Sequence, residues 1–85
     1  MMVRLVYFAW VRERIGKAHE DVVLPDSVVT IGDLIAWLIQ RGEEYAHAFE
    51  AAKTIRAALD RVHVKHDAPV AGAREIAFFP PMTGG

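Results

Sequence analysis

Arg74-Glu75-Ile76-Ala77-Phe78-Phe79-Pro80-Pro81 reads as a strand that runs straight into a stop. Side chains alternate along an extended chain, so Ile76 and Phe78 share one face while Glu75, Ala77 and Phe79 share the other. The strand predicted over 74–79 ends at Pro80, because neither proline has an N–H to give to a sheet. Upstream, residues 3–10 are rich in β-branched and aromatic side chains and predict a first strand. Its Val3, Leu5 and Tyr7 form one face, and Arg4, Val6 and Phe8 form the other, more exposed one. A helical turn over 11–16 closes at Gly16, a residue able to take the left-handed C-cap conformation. A second strand over 19–24 ends in the turn residues Pro25-Asp26-Ser27.

The main helix opens at Thr30, with Asp33 in the position of a capping-box acid. Ile31, Leu34, Ile35, Leu38 and Ile39 then follow the spacing of one helical face, and Gly42 is expected to end the run. A short second helix is expected within 43–53, with Tyr45, Ala48 and Phe49 inward. Residues 54–59 and 61–65 predict two further strands around a turn at Asp60. The order is strand, strand, long helix, then three strands. A hairpin, a crossover helix and a return to the sheet imply an α+β roll, a mixed sheet of about five strands on one main helix.

With 85 residues the chain is expected to be one domain, and 53% hydrophobic residues suffice for one core. It is too small for a large catalytic pocket together with a cofactor fold, which favours a carrier, a binding module or a subunit. A net charge of −1 gives no basic stripe for nucleic acid. The cluster Arg12, Arg14 and Lys17 is interrupted by Glu13 and Glu20 and reads as a solvated turn. No stretch approaches the length of a membrane span, and Met1-Met2-Val3-Arg4-Leu5 lacks the layout of a signal peptide. The chain has no cysteine, so neither disulfides nor thiolate catalysis is available. That fits a reducing cytoplasm.

The chemistry is expected in the tail, Pro80-Pro81-Met82-Thr83-Gly84-Gly85. With glycine usage of about 7%, a Gly-Gly end arises by chance in only about 0.5% of chains. Pro80-Pro81 is stiff and extended and projects the tail away from the body. The segment from Pro80 to Gly85 can reach roughly 20 Å. Gly84 and Gly85 carry no side chain and could thread a narrow tunnel in a partner. The reactive group would then be the carboxylate of Gly85. A carboxylate is a poor electrophile, so ATP must adenylate it before a sulfur nucleophile displaces AMP and leaves a thiocarboxylate.

Two segments carry a family resemblance, Phe8-Ala9-Trp10-Val11-Arg12-Glu13 with Gly16, and the tail Ala77-Phe78-Phe79-Pro80-Pro81-Met82-Thr83-Gly84-Gly85. The chain from Val3 to Gly85 resembles the small, sulfur-carrying subunits of molybdopterin synthase, which have the ubiquitin-like β-grasp fold. Thiamine sulfur carriers share the fold and the Gly-Gly end but resemble the Phe-Phe-Pro-Pro stretch much less. Asp60-Arg61 and His63 stand where the family more often has uncharged residues. The resemblance implies a β-grasp domain over 1–79 and a flexible tail over 80–85, with first and last strands parallel at the sheet centre. It implies that an ATP-dependent adenylating enzyme activates Gly85, and that the small subunit binds no cofactor tightly. The tail would enter the large synthase subunit and donate sulfur to cyclic pyranopterin monophosphate. Catalytic side chains would belong to that large subunit, in a heterotetramer of two small and two large chains. A carrier for another pathway, such as thiazole formation or transfer-RNA thiolation, and a ubiquitin-like modifier are the competing readings.

In that fold Phe8 and Phe79 come together on the face away from the helix, beside Val6 and Ala77, with His63 pointing the same way. Such a patch marks a partner site; the competing reading is a minor second core under loops. The histidines do not read as a metal site. His63 and His66 would point to opposite faces, and His19 and His47 lie in separate elements. Ser27 and Thr83 have no base beside them, no glycine loop opens a helix to hold phosphate, and Trp10 and Trp37 read as packing residues.

Overall fold

The computed structural model describes residues 1–81. The strands are β1 (Met2–Tyr7), β2 (His19–Val23), β3 (Arg56–Leu59), β4 (Val62–Val64) and β5 (Glu75–Phe79). The helices are α1 (Ala9–Ile15), α2 (Ile31–Ile39) and α3 (Glu43–Ala48). One mixed sheet runs in the order β2-β1-β5-β3-β4. Only the central β1–β5 pair is parallel, with Val6 opposite Ala77 and Tyr7 opposite Phe78; β1–β2, β3–β5 and β3–β4 are antiparallel. This is the expected β-grasp roll, with α1 and α3 standing where a helical turn over 11–16 and a short helix within 43–53 were expected beside the main helix.

Strand alternation sorts the two faces as expected. Val3, Leu5 and Tyr7 are buried, as are Ile76 and Phe78. Against them lie Ile31, Leu34, Ile35 and Leu38 of α2, Val11 and Ile15 of α1, and Tyr45, Ala48 and Phe49 around α3. Each such aliphatic or aromatic side chain contributes about 1.5–3 kcal/mol when fully removed from water. Phe78 sits at the middle, stacked on Tyr7 at 6.4 Å and edge-on to Phe49 at 5.2 Å between ring centroids. Trp10 and Trp37 pack against the rim of this core.

The start of α2 follows the predicted chemistry. Thr30 Oγ1 accepts from the Asp33 N–H at 3.1 Å, and the Asp33 carboxylate accepts from the N–H groups of Thr30 and Val29 at 3.1 Å. The next two orphan donors of the helix are taken by the β4–β5 connection. Ile31 N–H donates to the Ala68 carbonyl and Gly32 N–H to that of His66.

Beyond shifts of one or two residues elsewhere, three boundaries differ from expectation for a local reason. The first strand stops at Tyr7, not at residue 10, because Ala9 takes φ 52° and turns the chain directly into α1. Phe-Ala-Trp favours a strand locally, but the pivot sits on an alanine, which carries no turn signal. Gly42 does not close α2. The helix ends at Ile39 with Gln40 as its C-cap, and Gly42 instead precedes α3 as its N-cap. The third strand begins at Arg56, because Ala52–Thr54 form a 3₁₀ turn in which Thr54 Oγ1 donates to the Ala51 carbonyl at 2.8 Å. Among the described residues no helix is long and apolar enough to cross a membrane.

Candidate docking face and tail exit

The helices cover one side of the sheet and leave the other open. From the strand registers, one row across the open face runs His19, Val6, Ala77, Ala58, His63. Ala58 and Ala77 are buried at 5% and 8% exposure although they face outward, since taller neighbours flank both methyl groups. In the next row Phe79 stands opposite Arg56. The His63 ring lies over Phe79 at 5.1 Å between centroids, tilted by 49°. Val6 and Phe79 are half-buried, and His63 is exposed.

Phe8 joins this face through its backbone. It is extended (φ −124°, ψ 156°) and its N–H donates to the Phe78 carbonyl at 3.0 Å. That bond carries the parallel ladder one residue past the strand, so Phe8 follows Tyr7 as Phe79 follows Phe78. The left-handed Ala9 then swings α1 to the core side, and Phe8 remains 49% exposed. Among the described residues no loop closes over Phe8 or His63, which argues against a second core there. The predicted docking residues Val6, Phe8, His63, Ala77 and Phe79 therefore share one face. Pro80 and Pro81 leave the end of β5 half-buried; the predicted tail residues Met82, Thr83, Gly84 and Gly85 lie outside the described residues.

Among the described residues this face offers apolar contact and no catalytic constellation. Among the described residues no group of His, Cys, Asp or Glu is placed to hold a metal. His66 is occupied locally, with Nε2 donating to the Ile55 carbonyl at 2.7 Å.

One polar cluster escaped the sequence reading. Glu20 stands opposite Leu5 on β2, so it faces the core side, and its side chain is only 12% exposed. Its carboxylate accepts from the hydroxyls of Tyr45 (2.6 Å) and Tyr7 (2.8 Å) and from Arg41 (3.1 Å), with Lys17 at 3.5 Å. Burial alone would raise its pKa; the hydrogen bonds from Tyr45, Tyr7 and Arg41 outweigh burial and hold it below the usual carboxylate value. Burial and the contact with Glu20 push both tyrosine hydroxyls up. With every partner satisfied, the cluster acts as a staple between the β2 edge and the helices. The signal available in the sequence was an acid two residues before Val22, on the inward side of a strand.

Residues 5–85 match the ThiS family. The molybdopterin synthase sulfur carrier subunit of Escherichia coli is 33% identical over 84 residues, covering 99% of this chain and 100% of the relative. Among solved structures, the fold superposes on a chain of the complex of subunits 1 and 2 of molybdopterin-converting factor from Helicobacter pylori. There the TM-score is 0.64 at 21% identity, with 100% of both chains covered. Small archaeal modifier protein 1 of Haloferax volcanii gives 0.71 at 21% identity, covering 95% of this chain and 98% of that one. At such identities these two likenesses speak for the fold alone.

Proposed function

Since this chain belongs to the ThiS family, we propose that it is a sulfur carrier subunit of molybdopterin synthase. The observation that carries the proposal is the 33% identity with the Escherichia coli carrier over that protein's whole length. The open sheet face beside the exit of β5 supports it, because a carrier must dock its body while its tail reaches a distant site.

In this reading an adenylating enzyme uses ATP to convert the Gly85 carboxylate to an acyl adenylate. Sulfide then attacks the acyl carbon, AMP leaves, and a thiocarboxylate remains. The chain docks on the large synthase subunit through Val6, Phe8, His63, Ala77 and Phe79, in an assembly of two small and two large chains. Pro80 and Pro81 direct Met82, Thr83 and Gly84 into the partner, which supplies the catalytic side chains. The sulfur passes to cyclic pyranopterin monophosphate, and two such transfers build the dithiolene. The carrier needs no tightly held cofactor, and a cytoplasmic setting suits a chain without cysteine.

The test is reconstitution of the chain, bearing a Gly85 thiocarboxylate, with a synthase large subunit and cyclic pyranopterin monophosphate. Molybdopterin is expected with the thiocarboxylate and not with an ordinary carboxylate. No product from a competent large subunit would redirect the carrier to another sulfur pathway. Recovery of Gly85 joined to lysine in higher-mass conjugates would instead favour a modifier.

A further inference from the structure

At the end of the sheet where β5 leaves, a surface hollow of about 220 Å³ is lined by Lys53, Ile55, Arg56, Val64, Lys65 and His66. Its three permanent cations, Lys53, Arg56 and Lys65, are exposed and make no ion pair with any described residue. Among the described residues no carboxylate lines it. Elsewhere Arg4, Arg14, Lys17 and Arg41 are each matched to an acid, while Arg12, Arg61 and Arg74 also stand without an ion pair among the described residues. In a chain of net charge −1, three of these unmatched cations thus meet in one hollow at the β3–β4 edge.

The hollow adjoins the open face. Arg56 is the direct cross-strand neighbour of Phe79, and Lys65 follows two residues after His63, whose ring covers Phe79. A protein seated on Phe79 must cover or closely approach these cations. Covering them unpaired would desolvate several positive charges at once, whereas opposing carboxylates would offset that cost and steer the encounter.

We propose that the Lys53–Arg56–Lys65 hollow is the electrostatic half of the docking surface and receives an acidic segment of the synthase large subunit. This rests on the carrier function and docking face proposed for the chain. The apolar residues Phe8, Val6 and Phe79 then supply contact area, and the hollow sets orientation and the rate of encounter.

Stopped-flow association of the full chain with a synthase large subunit, measured from low to high salt, tests the proposal. The combined variant Lys53→Gln, Arg56→Gln and Lys65→Gln is expected to associate about tenfold more slowly at low ionic strength and to lose most of its salt dependence. Lys65→Glu alone should slow association, while Arg12→Gln, on α1, should leave it unchanged. All of these positions are exposed, so thermal unfolding should confirm intact folds. A native rate and salt slope in the triple variant, with Phe79→Ala still weakening the complex, would overturn the hollow and spare the docking face. Native behaviour of both variants would overturn both. Saturable binding of inorganic phosphate to the free chain at submillimolar concentration, centred on Lys53, Arg56 and Lys65, would reassign the hollow to a small anion and also overturn the proposal.

Discussion

Phe78 and Phe79 are chemically the same residue at successive positions of one strand, and they belong to two different regions of the molecule. Phe78 is fully buried between Tyr7 and Phe49, while Phe79 is half-buried under a single histidine ring. The core side of the sheet is closed by three helices, and the open side by nothing among the described residues. One side is committed to folding, and the other leaves apolar surface in contact with solvent.

The largest expected effect is on the closed side. Phe78→Ala should cost about 3–5 kcal/mol, enough to threaten the fold, read as the loss of midpoint in urea unfolding. Phe79→Ala should shift stability by less than about 1 kcal/mol yet weaken large-subunit binding by at least about tenfold. An unchanged dissociation constant for Phe79→Ala would remove the open side from the interface and break the contrast.

The edge staple sharpens the comparison from the polar side. Glu20→Gln should cost about 1–3 kcal/mol because the cluster loses its charge while Arg41 and Lys17 remain. Glu20 titrates lower in the fold than in the unfolded chain, so its contribution is fully present above 4.5 and is lost as pH falls below that value. Acid unfolding of the native chain should therefore converge on that of the variant at low pH. Tyr7 and Tyr45 work in the opposite sense. Their pKa values are raised from 10.0, so stability should decline as pH rises past that point.

The smallest effect concerns the pivot between the two sides. Ala9 holds φ 52°, which a glycine adopts without a Cβ clash. Ala9→Gly should leave stability unchanged or raise it by up to about 1 kcal/mol. Binding should be retained, since Phe8 stays pinned through its N–H to Phe78.

The sheet was legible because its side chains obey period two. Val3, Leu5 and Tyr7 against Arg4 and Val6, and Ile76 and Phe78 against Ala77 and Phe79, announce which face is wet. The capping box of Thr30 and Asp33 was equally local and equally readable. What escaped was non-local or unsignalled. Ala9 turns the chain with no glycine to mark it, and Gly42 sits at a helix junction where either neighbour could claim it. The Glu20 staple joins Tyr7, Arg41 and Tyr45 across three elements, and no spacing within the chain predicts that meeting. The parallel β1–β5 pairing followed from the family resemblance, not from the pattern, because alternation sorts faces and not neighbours. That the residues Val6, Phe8, His63, Ala77 and Phe79 share one face was legible for that reason, whereas the cationic hollow needs Lys53, Arg56 and Lys65 from separate elements and appears only once β3 and β4 are paired.

The position of β5 also has a mechanical consequence. It is laced on one side to β1 and on the other to β3, and the tail continues from its end. A pull on the tail therefore loads both ladders in shear, so several backbone hydrogen bonds must fail together and cannot unzip one at a time. A tail rooted at a sheet edge would peel its strand away under the same tension. Rooted at the centre, it can bear tension while the body that carries it keeps its shape.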